Sequence, residues 1–599
     1  MGIESIGGMM SSRRNLLTGL ATAIGRPSTV SMHRPGKDVL FDMSKAGEAP
    51  SAVPPDRIGW LNKTTYGFTT ADDAAFNALP GANNDAKWTA WVAQQLSPTT
   101  ISDSACDTRL AAAGYTTLGK TLQQLWSGHE QVTNNSFVRM LPINETEAAT
   151  IVRALYSKRQ LFERVANFWH DHFNVFGWDY DCGPVFVHYD RDVIRANALG
   201  NFRTLLEAVA TSTAMQIYLD NKSSRGADFN ENFAREMIEL HTLGVENYFG
   251  PTDPFSVPCV NPSVLETEVI CPGSFPAGYV DNDVYEAAAS LTGWTIKDGY
   301  WQYPDDDDGT FLYRPDWHDR RNKIFNGLYI PPDNQPAMQD GRDVFDRLVA
   351  HPGTAKHIAT KLCRRFVGDT PSAALVASVA QDFTTYISAP DQIKRMLQTI
   401  LLSNEFKQTW GAGMKRPFEA TMGALRAIGG NYTPQPDNTN NWTTSEEFSN
   451  YLQQTGHRPF YWGPPNGYPD RQGAWSSTGT LAMTMKTLAR LPEFTVNRNV
   501  SNSPYLADIL GQTQAAFPTA STRTAATIMG YWCDRIFGYR PEPAYGVATQ
   551  FLRQNATASE AINIDADTWN GNSLKLHYSQ QRLRSAVSLL FLNPDFLRR

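Results

Sequence analysis

The chain has 599 residues, 41% of them hydrophobic and 19% charged, with a net charge of −7. That length exceeds what a single growing core sustains, so at least two packed units are expected. The mild acidity offers no basic field for nucleic acid, and no apolar run approaches the roughly 18 residues that a membrane-spanning helix needs.

The N-terminus carries Ser11-Ser-Arg-Arg-Asn-Leu-Leu17 and a mild apolar run from Leu16 to Gly25, which reads as a twin-arginine export signal. Arg26 and Pro27 end that run early, and no clear Ala-x-Ala cleavage site follows. Residues 1–56 are therefore read as signal and leader, and the protein is expected in the periplasm or outside the cell.

Beyond the leader, Ala- and Leu-rich amphipathic segments alternate with Gly, Pro and Asn breaks. Helices are predicted over Asp72 to Leu79, Lys87 to Gln95, Glu145 to Phe173, Asp192 to Ala210, Phe229 to Leu243, Asn282 to Leu291, Gly341 to Ala350, Thr354 to Phe366, Ile393 to Leu402 and Leu481 to Leu491. The expected fold class is mainly α, a multi-helix globular array with long irregular loops and little sheet. Phe249 to Gly278 reads as a Pro- and Cys-containing loop. Asp305 to Asp308 reads as solvated surface, since the alternating oxygen ligands of a calcium loop are missing. An Asn-, Thr- and Pro-rich stretch near Gly429 to Glu446 suggests a main helical domain over 57–428 and a C-terminal unit over 429–599.

Six cysteines are scattered without a Cys-x-x-Cys pair, which argues against structural zinc. Cys259 and Cys271 flank a short loop. They are either a disulfide, worth on the order of 3 kcal/mol by loop entropy, or two free thiols.

Two segments concentrate chemistry. In Asp228 to Gly244, about 100° of rotation per residue puts Asn232, Glu236 and Glu239 on one face with Arg235 beside them, while His241 falls on the apolar side. Two carboxylates one turn apart repel; burial would keep one protonated as a general acid, or a divalent cation would hold both ionised. In Glu163 to Asn174, Glu163, Asn167 and His170 align, and His172 points away as a core histidine. The candidate catalytic set is thus Glu163, Asn167, His170, Asn232, Arg235, Glu236 and Glu239. His170, Glu236 and Glu239 are the candidate ligands for a divalent metal ion, the only cofactor signalled. Tyr218 to Asn221, Trp294 and His318-Asp319 are weaker signals near loop ends. His457 to Pro469, followed by Trp475, reads as an aromatic loop that either walls a cleft suited to sugar rings or plugs its own domain.

Phe168-Trp-His-Asp-His-Phe173, Ala198-Leu-Gly-Asn-Phe202, Tyr218-Leu-Asp-Asn221, Asn230 to Gly244, Leu291-Thr-Gly-Trp294, His318-Asp319 and Gly463-Pro-Pro-Asn466 occur in one order. From about Ile58 to the C-terminus the chain resembles domain-of-unknown-function family 1800, a bacterial family. The resemblance implies a helical fold, export through the twin-arginine pathway, and a partner protein related to sulfatases and phosphatases encoded beside it. Arg321 stands where the family carries Gly, and the loop with Cys259 and Cys271 enlarges the region after Gly244. The resemblance brings no mechanism; the Glu and His polar faces give the expectation of an exported hydrolase-like enzyme acting on an envelope polysaccharide or other polymer. The alternative is a non-catalytic envelope binding or assembly protein.

Overall fold

Helical periodicity becomes helix along most of the chain in the computed structural model, which describes residues 54–226, 228–262, 271, 274–436, 443–566 and 578–599. The twin-arginine motif and the leader up to residue 53 lie outside those residues, as do parts of the Cys259 to Cys271 loop and of the Asn-rich stretch near 440. The fold is a mainly α-helical multi-helix array with little sheet. Among the described residues the strands form three two-stranded antiparallel ladders, pairing Cys259–Pro262 with Ser274–Pro276, Trp294–Asp298 with Asp307–Tyr313, and Lys323–Phe325 with Leu328–Ile330. No described helix is long and apolar enough to cross a membrane.

Local chemistry starts many of the helices. The side chains of Asn83, Ser212, Ser372 and Ser477 each accept a backbone N–H of the first turn, and Thr443 with Glu446 forms a capping box. Three expected helices are interrupted, each for a visible reason. Glu145 to Phe173 is two helices, Ser136–Tyr156 and Gln160–His172. Between them Asp103 accepts both the Ser157 hydroxyl and the Lys158 N–H, which holds Ser157 extended. Asp192 to Ala210 breaks at Gly200, after which Asn201 caps a new helix, Phe202–Ala210. The acidic helix starts later than expected and changes winding, from α over Asn232–Glu236 to π over Met237–Thr242.

Residues 50–599 form one compact unit. Its buried apolar side chains fall into two clusters, one running from Ile58 to Phe406 with Phe460, the other built mainly from Phe418 onward with Tyr66, Ile151, Ala154 and Leu155. The helix Gln160–His172 lies where they meet: Phe168 and Trp169 pack into the first, while its polar side chains bond Arg416 and Glu419 of the second region. Cys259 and Cys271 are joined as a disulfide.

Candidate functional site

Three of the predicted site residues lie on Gln160–His172, and each is taken up by a neighbour. Arg195 donates two 2.8 Å bonds to the Glu163 carboxylate. His170 Nε2 donates to Asp190 Oδ1 at 2.9 Å. Both partners come from the π-helical turn Tyr189–Arg195. Burial alone would raise the Asp190 carboxyl, but the His170 bond and the charges of Arg195 and Arg153 override it and hold the group at about 2. Arg416 Nη2 donates to Asn167 Oδ1 at 2.7 Å.

Beside Asn167 sits an ionic knot that the sequence reading missed. Arg416 Nη1 bonds Asp171 Oδ2 at 2.6 Å, and Arg365 bonds the same oxygen. Glu419, 1% exposed, is approached by Arg164 at 2.7 Å, Arg416 at 3.0 Å, Arg599 at 3.3 Å and Arg365 at 3.4 Å. Burial would raise Glu419, yet these four guanidiniums hold it well below the usual carboxylate range. The signal available was local: Arg416-Pro-Phe-Glu419 has capping-box spacing, and both members of that box are used. Nothing in the spacing of Asp190, Arg195 or Arg365 announced their roles.

The acidic helix is different. Asn232 is exposed, and Arg235 reaches Glu231 at 3.2 Å and Asp281 at 3.6 Å. Glu236 and Glu239 are half-buried, and neither carboxylate has a hydrogen bond or ion pair among the described residues. Burial first, then the charge of Glu239, pushes the Glu236 carboxyl up to about 7, with Arg235 opposing. The two helices do not meet through their predicted polar faces. Their hydrogen bond runs through the residues on the apolar side, His172 Nε2 to the His241 carbonyl at 3.1 Å. His241 is fully buried with neither ring nitrogen bonded among the described residues; burial, then Lys361 and His357, lowers it to about 3, so it stays neutral. Among the described residues no three His, Cys, Asp or Glu side chains are grouped so as to hold a metal ion, so His170, Glu236 and Glu239 do not converge as a ligand set.

Tyrosines flank the acidic pair. Glu236 is among the charges acting on Tyr218, whose hydroxyl donates to Gly463 O at 2.6 Å. That contact brings in the aromatic loop, several of whose rings are packed inward. Phe460 packs on His170 with ring centroids 4.7 Å apart, and Tyr468 and Trp475 pack on His457 at 4.6 and 4.9 Å. Trp462 is left half-buried, its carbonyl accepting the Asn174 amide. Gly467, at φ +66°, approaches the helix so closely that a Cβ would stand 1.8 Å from Asp171 O.

The His318-Asp319 pair is engaged by its own surroundings. His318 bonds Thr292 O at 2.9 Å and Asp340 at 3.1 Å, while Arg321 pairs with Asp319 and Glu286. In the acidic run, Asp306 meets Arg314, Asp307 accepts Trp126 and Gln131, and Asp308 accepts Thr310. These acids are occupied by donors, not arranged around a cation.

A family model described as "Protein of unknown function (DUF1800)" matches residues 59–598. No curated protein matches the chain, and no solved structure does.

Proposed function

We propose that this chain, which belongs to the DUF1800 family, is a hydrolase acting on a polymer outside the cytoplasm, with Glu236 as general acid and Glu239 as its basic partner. The observation that carries this reading is the Glu236 carboxyl: half-buried, without a hydrogen bond or ion pair among the described residues, and pushed up to about 7. An acid that titrates near neutrality is suited to give and regain a proton at working pH, and strongly shifted groups concentrate at functional sites. π-helical turns are likewise frequent at functional sites, and this pair spans the junction of α and π winding.

In the proposed step, Glu236 gives its proton to the leaving oxygen as the bond in the polymer breaks. Water adds to the carbon that has lost it and passes a proton to Glu239. Exchange with solvent then returns the pair to its starting state. His170, bonded to Asp190, holds the neighbouring helix in place and takes no proton in this scheme. The twin-arginine motif and the Cys259–Cys271 disulfide support an oxidising compartment outside the cytoplasm.

The test is cleavage. The full chain is incubated with polymer fractions from the envelope of the producing cell, and new chain ends are counted. Release should fall as pH rises through about 7 and vanish in Glu236→Gln. Wild-type protein that releases no ends from any fraction, yet is retained by one, would replace the enzyme with a binding protein.

A further inference from the structure

Beyond Leu243 the chain leaves the acidic helix as an outer arm, residues 245–262, and the Cys259–Cys271 disulfide ties the far end of that arm to an inner strand, Ser274–Pro276. The inner strand is fixed to the body of the protein. Arg347 reaches Ser274 O at 3.4 Å, His351 donates to Pro276 O at 2.8 Å, and the Phe275 ring lies 4.0 Å below the guanidinium and 5.2 Å from the imidazole. The arm has less hold of its own at that end. Among the described residues it pairs with the strand at Cys259–Pro276 and Pro262–Ser274, with a register shift between them, helped by Ala277 N–H to Pro258 O at 2.7 Å and by the Ser274 hydroxyl on Val260 O. The hydrogen bonds described for residues 251–257 stay within that stretch. So short a ladder is marginal alone, which leaves the disulfide as the principal tie.

The near end of the arm stands against the acid pair. Tyr248 stacks over buried Tyr279 with ring centroids 5.2 Å apart, and its hydroxyl donates to Asp281 at 2.6 Å. Phe249 N–H donates to Tyr279 O at 2.9 Å and Tyr279 N–H to Asn247 O at 3.0 Å, so this end is zipped to the same inner segment that the disulfide grips further out. Glu239 is among the charges acting on both tyrosine hydroxyls, and Arg235 shares Asp281 with Tyr248. Glu236 is raised first by burial and then by Glu239, and both effects need water kept away.

Cys259 is exposed, so the bond is open to exchange. We propose that it is a redox latch on the acid pair: closed, it keeps the arm and Tyr248 in place beside Glu239; open, it lets the arm lift and water reach both glutamates. The latch does not depend on the hydrolase reading, but its use rests on it: a chain still in the reducing interior of the cell would stay inactive until export. Closure is a balanced exchange with a disulfide oxidant outside. The two thiols give up two protons and two electrons, one S–S bond forms in the chain, and the oxidant's S–S bond breaks into two thiols.

The experiment follows the Glu236 carboxyl by infrared difference titration of the full chain, with Glu236→Gln subtracted, in oxidised protein and in dithiothreitol. The other four cysteines are buried and unpaired, so the dithiol acts on this bond. Reduction should leave the far-ultraviolet circular dichroism unchanged and move the Glu236 midpoint down from about 7 by at least about one unit, which cuts the protonated fraction near neutrality about fivefold. Cys259→Ser with Cys271→Ser should match reduced wild type without any reductant, and Tyr248→Ala should lower the midpoint with the disulfide intact. An unmoved midpoint in reduced protein, or global unfolding on reduction, would make the bond a structural staple and overturn the latch, as would a Tyr248→Ala chain that titrates like wild type. Failure of the hydrolase reading looks different: the midpoint shifts on reduction, but neither form cleaves any polymer fraction.

Discussion

On the helix Gln160–His172, Glu163, Asn167, His170 and Asp171 each bond a side chain from elsewhere in the chain, whereas on Asn232–Thr242 the two glutamates of the predicted face bond nothing among the described residues. Both segments carry acids at helical spacing and look alike as sequence. The difference lies in what the fold brings to them. The first receives Arg195, Arg416, Asp190 and Arg365, and becomes the seam between the two apolar clusters. The second keeps one arginine, already shared with Glu231 and Asp281, and retains a carboxyl that titrates near neutrality. Saturated polar groups hold a structure, and unsaturated ones are available to a ligand.

The contrast breaks most severely at Glu419. Replacing it with Gln leaves four buried guanidiniums without their shared carboxylate, and breaking a buried ionic group from one side typically costs about 3–5 kcal/mol. Denaturant unfolding should show that loss, and a change under about 1 kcal/mol would mean that water, not Glu419, satisfies the arginines.

Asp190 gives the next effect, readable through pH. Its folded-state value is about 2 against an ordinary 3.8. A depressed carboxyl contributes stability that is present above the ordinary value and lost as pH falls toward the folded one, here worth about 2 kcal/mol. Wild type should therefore lose stability between about pH 4 and pH 2 more steeply than Asp190→Asn. Parallel curves would remove the His170–Asp190 pair from the account.

Glu236→Gln should be the smallest change, with the opposite sign. A raised carboxyl destabilises the folded state once it must ionise, so wild type loses stability as pH rises from 4.5 through about 7. The variant should match wild type at acid pH and exceed it by about 1 kcal/mol above neutrality, allowing for solvent screening of a half-buried group. A neutral or stabilising change that abolishes polymer cleavage would mark a functional carboxyl.

Much of the fold was legible because helical periodicity and capping are local. Asn83 and Ser477 cap two of the helices that periodicity predicted, those ending at Gln95 and near Leu491. The breaks were not legible where a distant side chain makes them, as Asp103 does at Ser157. The same limit governs the site. Spacing put Glu236 and Glu239 on one face and aimed His172 into the core, because both follow from rotation per residue. It could not say that His170 would be met by Asp190, 20 residues on, or Asn167 by Arg416, 249 residues on. Hence only the Glu163, Asn167 and His170 face is taken up by partners, Glu236 and Glu239 meet none among the described residues, and the two histidines on the apolar sides connect the helices.

Export rests on a separate experiment: Arg13 and Arg14 replaced by Lys should leave a folded protein inside the cell, and normal export of that variant would remove the twin-arginine reading.

The proposed chemistry requires above all that Glu236 hold its proton near neutrality. Infrared difference titration of the full chain, with Glu236→Gln subtracted, isolates the protonated carboxyl band of this one residue. A midpoint at about 7, shifting downward in Glu239→Gln as the neighbouring charge is removed, is the result expected. A midpoint at the ordinary 4.5, unmoved by Glu239→Gln, would make the pair a solvated surface face and contradict the central claim.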